Sequence, residues 1–256
     1  MFRGRTDSNS WHLFDFRGHR IEMEPWFLAL VAFFSFIGIN AQAHGLSAVL
    51  ASLVIWAPTL FVGVLFHEFG HAAAMKHFGY GGSRIVLQGF GGVTINDRRQ
   101  RSPPGKSILI SLAGPFASLL LSSLSFGALA IYKGAAGFEF TSLGGSLGLL
   151  ARFMFTMGLI NTVWALFNLI PINPLDGGHV VLHALRAKYG DRRKAMRHTA
   201  IASLVVLGGL VVVSVVVPIF DPILFFLLAF MFGIQNYQIL KATGSEGPPG
   251  GYYQPR

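Results

Sequence analysis

The string His67-Glu68-Phe69-Gly70-His71 lies inside a run of apolar residues long enough to cross a membrane. Residues four apart share one face of a helix, so both imidazoles can reach one zinc ion. The glutamate between them is not a ligand in that arrangement and is free to act as a general base on water. An ionisable side chain at bilayer depth costs roughly 2.5–3.5 kcal/mol on insertion scales, which marks Glu68 as a functional group. The chemistry that these residue types suit is metal-assisted hydrolysis.

A catalytic zinc usually has three protein ligands and one open position, so a third donor is required. The chain has no cysteine, which excludes thiolate ligands and disulfides and leaves histidine and carboxylate. Of eleven acidic residues, only Glu68 and Asp176 stand within or at the end of an apolar run without belonging to an aqueous loop. His71 and His67 precede Lys76 by five and nine residues, about 8–14 Å inside the boundary at helical rise. Asp176 follows the fourth apolar run at the same end. Two distant segments thereby bring His67, His71 and Asp176 to a similar depth, a two-histidine, one-carboxylate set for one zinc per chain. By itself Asn173-Pro174-Leu175-Asp176-Gly177-Gly178 reads as a turn or helix cap, and the matching depth favours the metal site.

Other histidines compete with this set. His77 has the third-ligand spacing of a longer zinc motif, but Ala74 stands where that motif needs a glycine. A helix continuing through His77 points it about 120° from His71, an interfacial position. His179 and His183 form another four-residue pair beside a basic loop, where a solvated helix face is favoured over a second metal.

The elements that position these residues are membrane spans. About half of the 256 residues are hydrophobic and 12% are charged, a multispan composition. Runs of about twenty apolar residues fall near 25–39, 46–75, 107–132, 147–170, 199–217 and 222–240, with Pro58 as a kink point in the second. The expected fold is an all-α membrane protein with six transmembrane helices and small β-hairpins at the cytosolic interface. One hairpin is expected around 83–95 and a second around Arg17-Gly18 within 11–24. The expected domains are an N-terminal cytosolic segment (1–24), a six-span core (25–241) and a disordered Gly/Pro-rich tail (242–256). No cleavable leader is expected, because no small-residue cleavage site follows the first apolar run.

The net charge of +9 would suggest nucleic acid in a soluble protein. Here 18 of the 20 Lys and Arg fall on one side of the six-span arrangement, with only Lys133 and Arg152 elsewhere. The positive-inside rule then puts both termini and the basic loops in the cytosol of a cell membrane, with the lipid bilayer as partner and no nucleic acid.

The chain resembles the site-2 protease family of intramembrane zinc metalloproteases. The matching strings are HEFGH at 67–71, Ala113-Gly114-Pro115, and FNLIPINPLDGG at 167–178. The resemblance covers roughly residues 11–188. It implies that His67, His71 and Asp176 ligate zinc, that Glu68 activates water, and that Asn168 positions the substrate or stabilises the oxyanion. The implied activity is cleavage of a peptide bond within or near the membrane segment of a single-span, membrane-anchored protein. The hairpin near 83–95 would pair with the unwound substrate. The family usually carries asparagine where this chain has Ser118, for which a modest packing or positioning difference is expected. Relatives often carry an added sorting domain, for which no segment here is long enough.

Two other functions compete. A catalytically silent relative would bind membrane proteins without cutting them, but it would not need Glu68. A metal transporter would need ionisable groups at several depths, and the fifth and sixth runs carry none.

Overall fold

The structure is a computed structural model, and it describes residues 10–37, 45–89, 91–96, 102–135, 148–217 and 222–244. In chain order the elements are β1 (Trp11–Phe16), β2 (His19–Met23), α1 (Pro25–Ile37), α2 (Leu46–His77), β3 (Ser83–Gln88), β4 (Gly91–Asn96), α3 (Pro104–Ala135), α4 (Leu149–Asn168), α5 (Asp176–Tyr189), α6 (Arg192–Val216) and α7 (Pro222–Gly244). The chain divides into two compact units. One holds β1–β4, α1, α2, α3 from Ala113 and most of α4. The other holds the start of α3 and α5–α7 with the segment that precedes them.

In the first unit both expected hairpins form, but they are not separate. They join into one four-stranded sheet in the order β1-β2-β3-β4. The central pair, β2 and β3, is parallel, with Ile21 opposite Ile85 and Met23 opposite Leu87. Parallel neighbours need a crossover connection, and here it is the α1–α2 helix pair. The join is invisible to a local reading because α1 and α2 separate its strands in sequence. The fold is therefore mostly helical with a small sheet, as the expected helices and hairpins imply, with the two hairpins joined. One face of this sheet packs on the helices: Ile21, Ile85 and Leu87 share a buried cluster with Phe27, Val31, Leu60, Val64 and Ala72.

Four helices among the described residues are long and apolar enough to cross a membrane: Leu46–His77, Pro104–Gly134, Leu149–Asn168 and Arg192–Val216. The six-span expectation is thus supported for four. The first expected span is α1, which has 13 residues and at 1.5 Å per residue reaches about 20 Å, short of a hydrocarbon core of about 30 Å. An apolar run reports an apolar environment, not a length. The helix α2 stays helical through Pro58, expected as a kink point, and runs past the expected boundary at 75 to His77.

In the second unit α5, α6 and α7 pack together. Ile172, Leu175 and Leu207 form one buried cluster, and Met196, Ala200 and Ile239 form another. The helix α5 stops at Gly190, whose left-handed φ of 66° suits glycine. Asp191 then caps α6 by accepting from the backbone N–H groups of Arg193 and Lys194. The helix α7 runs to Gly244, three residues into the stretch expected to be disordered. The rest of that tail, 245–256, lies outside the described residues, as do 1–9 of the N-terminal segment.

Candidate metal centre

In α2 the four-residue spacing does what helical geometry requires. His67 and His71 are buried, and their Nε2 atoms face each other at 3.2 Å. Two ring nitrogens brought this close in an apolar setting suit a shared cation better than each other, because neutral imidazoles can form only one hydrogen bond between them. The other nitrogen of His67, Nδ1, lies 3.0 Å from the hydroxyl of Ser118, which is fully buried on α3. With the proton on Nδ1 and donated to Ser118, Nε2 presents its lone pair.

The helix α3 reaches this pair through small residues. A side chain on Gly114 would collide with His71 Nε2 and come within 2.7 Å of His67 Nε2. On α2, a side chain on Gly70 would collide with the carbonyl oxygen of Ala113 and meet Ala117 at 2.8 Å. Gly70 thus lets α2 approach the backbone of α3, Gly114 makes room on α3 for the two imidazoles, and Ser118, four residues after Gly114, faces the same way.

Glu68 is buried beside them and is addressed by the sheet. The Thr94 hydroxyl lies 2.6 Å from Glu68 Oε2 and 3.1 Å from the Glu68 carbonyl oxygen. It has one proton, and the shorter contact assigns it to the carboxylate. Two residues earlier on β4, and so on the same face of the strand, a side chain at Gly92 would come within 2.8 Å of Glu68 Oε1 and 2.5 Å of its Cγ. The strand β4 therefore lies directly against the carboxylate.

Asp176 is the first residue of α5, half-buried, at the positive end of the helix dipole. The segment before it is irregular, since Pro171 and Pro174 cannot donate to a helix. The Asn173–Pro174 bond is cis. Its backbone polar groups are nonetheless satisfied: Asn173 N–H donates to Ser203 Oγ on α6 at 2.9 Å, and Asn236 Nδ2 on α7 donates to Asn173 O at 2.7 Å. Side chains at Gly177 or Gly178 would collide with backbone atoms of Leu169, Ile170, Ile172 and Asn173, so the turn into α5 closes only with glycines.

Of the metal set expected from sequence, His67 and His71 stand together in α2 of the first unit with Glu68 between them, and Asp176 begins α5 in the second. Two imidazoles and a carboxylate are a zinc-type donor set. Asn168 is the last residue of α4 and is half-buried. His77 is exposed at the end of α2, away from the set. His179 and His183 are half-buried on α5, not a fully solvated face. Burial first, then the nearby cations His179, Arg186 and Arg192, lowers the His183 pKa from 6.5 to about 4.

The packing or positioning difference expected at Ser118 falls on His67, a partner that its four-residue offset from Gly114 points to. Sequence reasoning misses one positioning side chain. Thr94 shares the strand face of Gly92, a signal that becomes legible only once β4 is known to cross Glu68.

The profile of Peptidase family M50 matches residues 56–214. A zinc metalloprotease of Methanocaldococcus jannaschii is 29% identical over 174 residues, covering 62% of this chain and 47% of its own length. A candidate zinc metalloprotease of Mycobacterium tuberculosis, Rip3, is 34% identical over 139 residues, covering 54% of this chain and 33% of its own. The chain thus spans about half of the first relative and a third of the second. A solved structure titled as a site-2 protease from M. jannaschii superposes with a TM-score of 0.57 over 96% of this chain and 100% of that one, at 22% identity. At that identity the likeness shows the fold.

Proposed function

This chain belongs to Peptidase family M50, the site-2 protease family, and from that premise we propose that it is an intramembrane zinc metalloendopeptidase. The observation that carries the reading is the pair of buried Nε2 atoms 3.2 Å apart on an apolar helix, with a carboxylate one residue away. His67, His71 and Asp176 would hold one zinc ion, whose chemistry when bound is Lewis-acid polarisation of the scissile carbonyl and a lowered pKa for water.

The chain's own residues supply the rest. Glu68, oriented by Thr94, accepts the proton of the attacking water and returns it to the leaving nitrogen. Asn168 donates its side-chain amide to the carbonyl oxygen as negative charge develops there. The strand β4 is the outer strand of the sheet among the described residues. Its contact with Glu68 supports a role in holding an unwound substrate segment extended beside the base. The four apolar helices make the chain an integral membrane protein. The six-span core at 25–241, both termini in the cytosol of a cell membrane, and a single-span, membrane-anchored substrate complete the proposal.

The test is zinc content of detergent-purified protein, wild type against His67→Ala and Asp176→Ala. About one zinc per chain, lost in both variants, supports the three-ligand site. Wild-type protein devoid of zinc after chelator-free purification overturns it. Zinc kept by Glu68→Gln with cleavage of a co-expressed membrane-anchored reporter abolished separates catalysis from silent binding.

A further inference from the structure

The N-terminal hairpin carries an aromatic row that the metal centre does not use. Simple alternation would put Trp11 on one face of β1 and Phe14 and Phe16 on the other. A bulge between His12 and Phe14 shifts the register, so that Trp11, Phe14 and Phe16 stand opposite Met23, Ile21 and His19. Those β2 residues belong to the face that packs on the helices, where Ile21 is fully buried. The Phe16 ring meets Phe69 of α2 edge-on at 5.5 Å between centroids. The three aromatics therefore lie on the helix side of the sheet, but on its outermost strand, where helix cover runs out. Trp11 is 50% exposed, Phe14 40% and Phe16 48%.

The other face of the hairpin is polar. His12 pairs with Asp15 at 3.3 Å, and Arg20 with Glu22 at 2.9 Å. At the hairpin tip the Arg17 guanidinium stands over the Phe16 ring, 5.7 Å from its centroid. The helix α1, which begins two residues after β2, also exposes apolar side chains, with Trp26 71% exposed at its start and Phe33 and Phe36 exposed on the same helix face. Exposed aromatic side chains in this number are unfavourable in water. Aromatics followed by arginine are the composition of the boundary between acyl chains and headgroups.

We propose that the β1 aromatic row is a membrane-interface anchor, laying Trp11, Phe14 and Phe16 into the headgroup–acyl boundary of the bilayer with Arg17 at lipid phosphates. The occupant is lipid because the aromatics end in Arg17 and because α1, two residues after β2, exposes Trp26, Phe33 and Phe36 on one face. The anchor sets the height of the sheet at the membrane surface, and through β4 that of the strand that contacts Glu68. The inference stands apart from the metal chemistry.

The absence of cysteine makes the test clean. Single cysteines at Trp11, His12, Phe14, Asp15 and Phe16 in the full chain are spin-labelled and reconstituted into phosphatidylcholine–phosphatidylglycerol vesicles. Phe33→Cys serves as an insertion control. Labels at 11, 14 and 16 are expected to be relaxed by oxygen and shielded from an aqueous nickel chelate, and those at 12 and 15 the reverse. Equal nickel access at all five positions overturns the anchor. Shielding of 11, 14 and 16 from both reagents also overturns it, because protein and not lipid then covers the row. A second measurement avoids cysteine variants that fail to fold. With Trp26, Trp56 and Trp164 changed to Phe, brominated phosphatidylcholine should quench the remaining Trp11 fluorescence, and unquenched emission overturns the proposal.

Discussion

The hydroxyl of Ser118 lies 3.0 Å from Nδ1 of His67, on the side of the ring away from the Nε2 that faces His71. A partner behind a ligand fixes its tautomer and orientation, and losing such a partner typically lowers metal affinity about 10- to 100-fold. Ser118→Ala should therefore weaken zinc binding by about that factor, read by competition with a chelator. Ser118→Asn, which keeps a hydrogen-bonding side chain, should recover much of it. Equal affinity in wild type and Ser118→Ala would reduce Ser118 to packing.

Thr94 does for the base what Ser118 does for the ligand. Thr94→Val keeps the shape of the side chain and removes the proton given to Glu68 Oε2. A base misplaced by part of an ångström loses about 10- to 100-fold in turnover, so kcat should fall in that range with KM and zinc content little changed. Thr94→Ser should restore activity. A Val variant as fast as wild type would show that β4 merely packs on Glu68.

The break between α4 and α5 depends on Asn236. Its side chain is fully buried and donates to Asn173 O. Asn236→Leu leaves that carbonyl without its partner, which costs about 1–3 kcal/mol for a buried polar group. The thermal midpoint in detergent should fall, and zinc affinity with it if Asp176 shifts. An unchanged midpoint would mean that water or another group takes over.

His183 lies on α5, outside the four apolar helices, and its pKa is lowered from 6.5 to about 4. A lowered histidine pKa means that the unfolded chain binds the proton more tightly than the folded one. Its contribution is intact above pH 6.5 and is lost as pH falls towards about 4. Buried His19, whose pKa is lowered by burial and by Lys76, acts in the same direction. Thermal stability should drop across that window, and less steeply in His183→Gln. Parallel profiles for the two proteins would remove His183 as a contributor.

Much of this molecule is legible in local sequence. The pair His67 and His71 follows from helical periodicity, and the turns at Arg17-Gly18 and between β3 and β4 follow from glycine and strand alternation. Asp176 is found by counting depth along two apolar runs. For the pair and the turns the physics acts within a few residues, and for Asp176 it acts along the length of a span, so the string carries both. The number of spans is less legible, because α1 shows that apolarity and length are separate properties.

What needed the tertiary structure is every relationship across elements. Two hairpins separated by α1 and α2 become one sheet because β2 and β3 pair in parallel. Gly70 and Gly114 have their meaning only against each other's helix. Ser118 and Thr94 are ordinary residues in the string, and their hydroxyls acquire roles from what is packed 3.0 Å and 2.6 Å away. Sequence alone determined the chemistry available, since that resides in side-chain types and short-range spacing. Packing decided which groups orient it, since hydrogen bonds act over ångströms in space and are indifferent to distance along the chain.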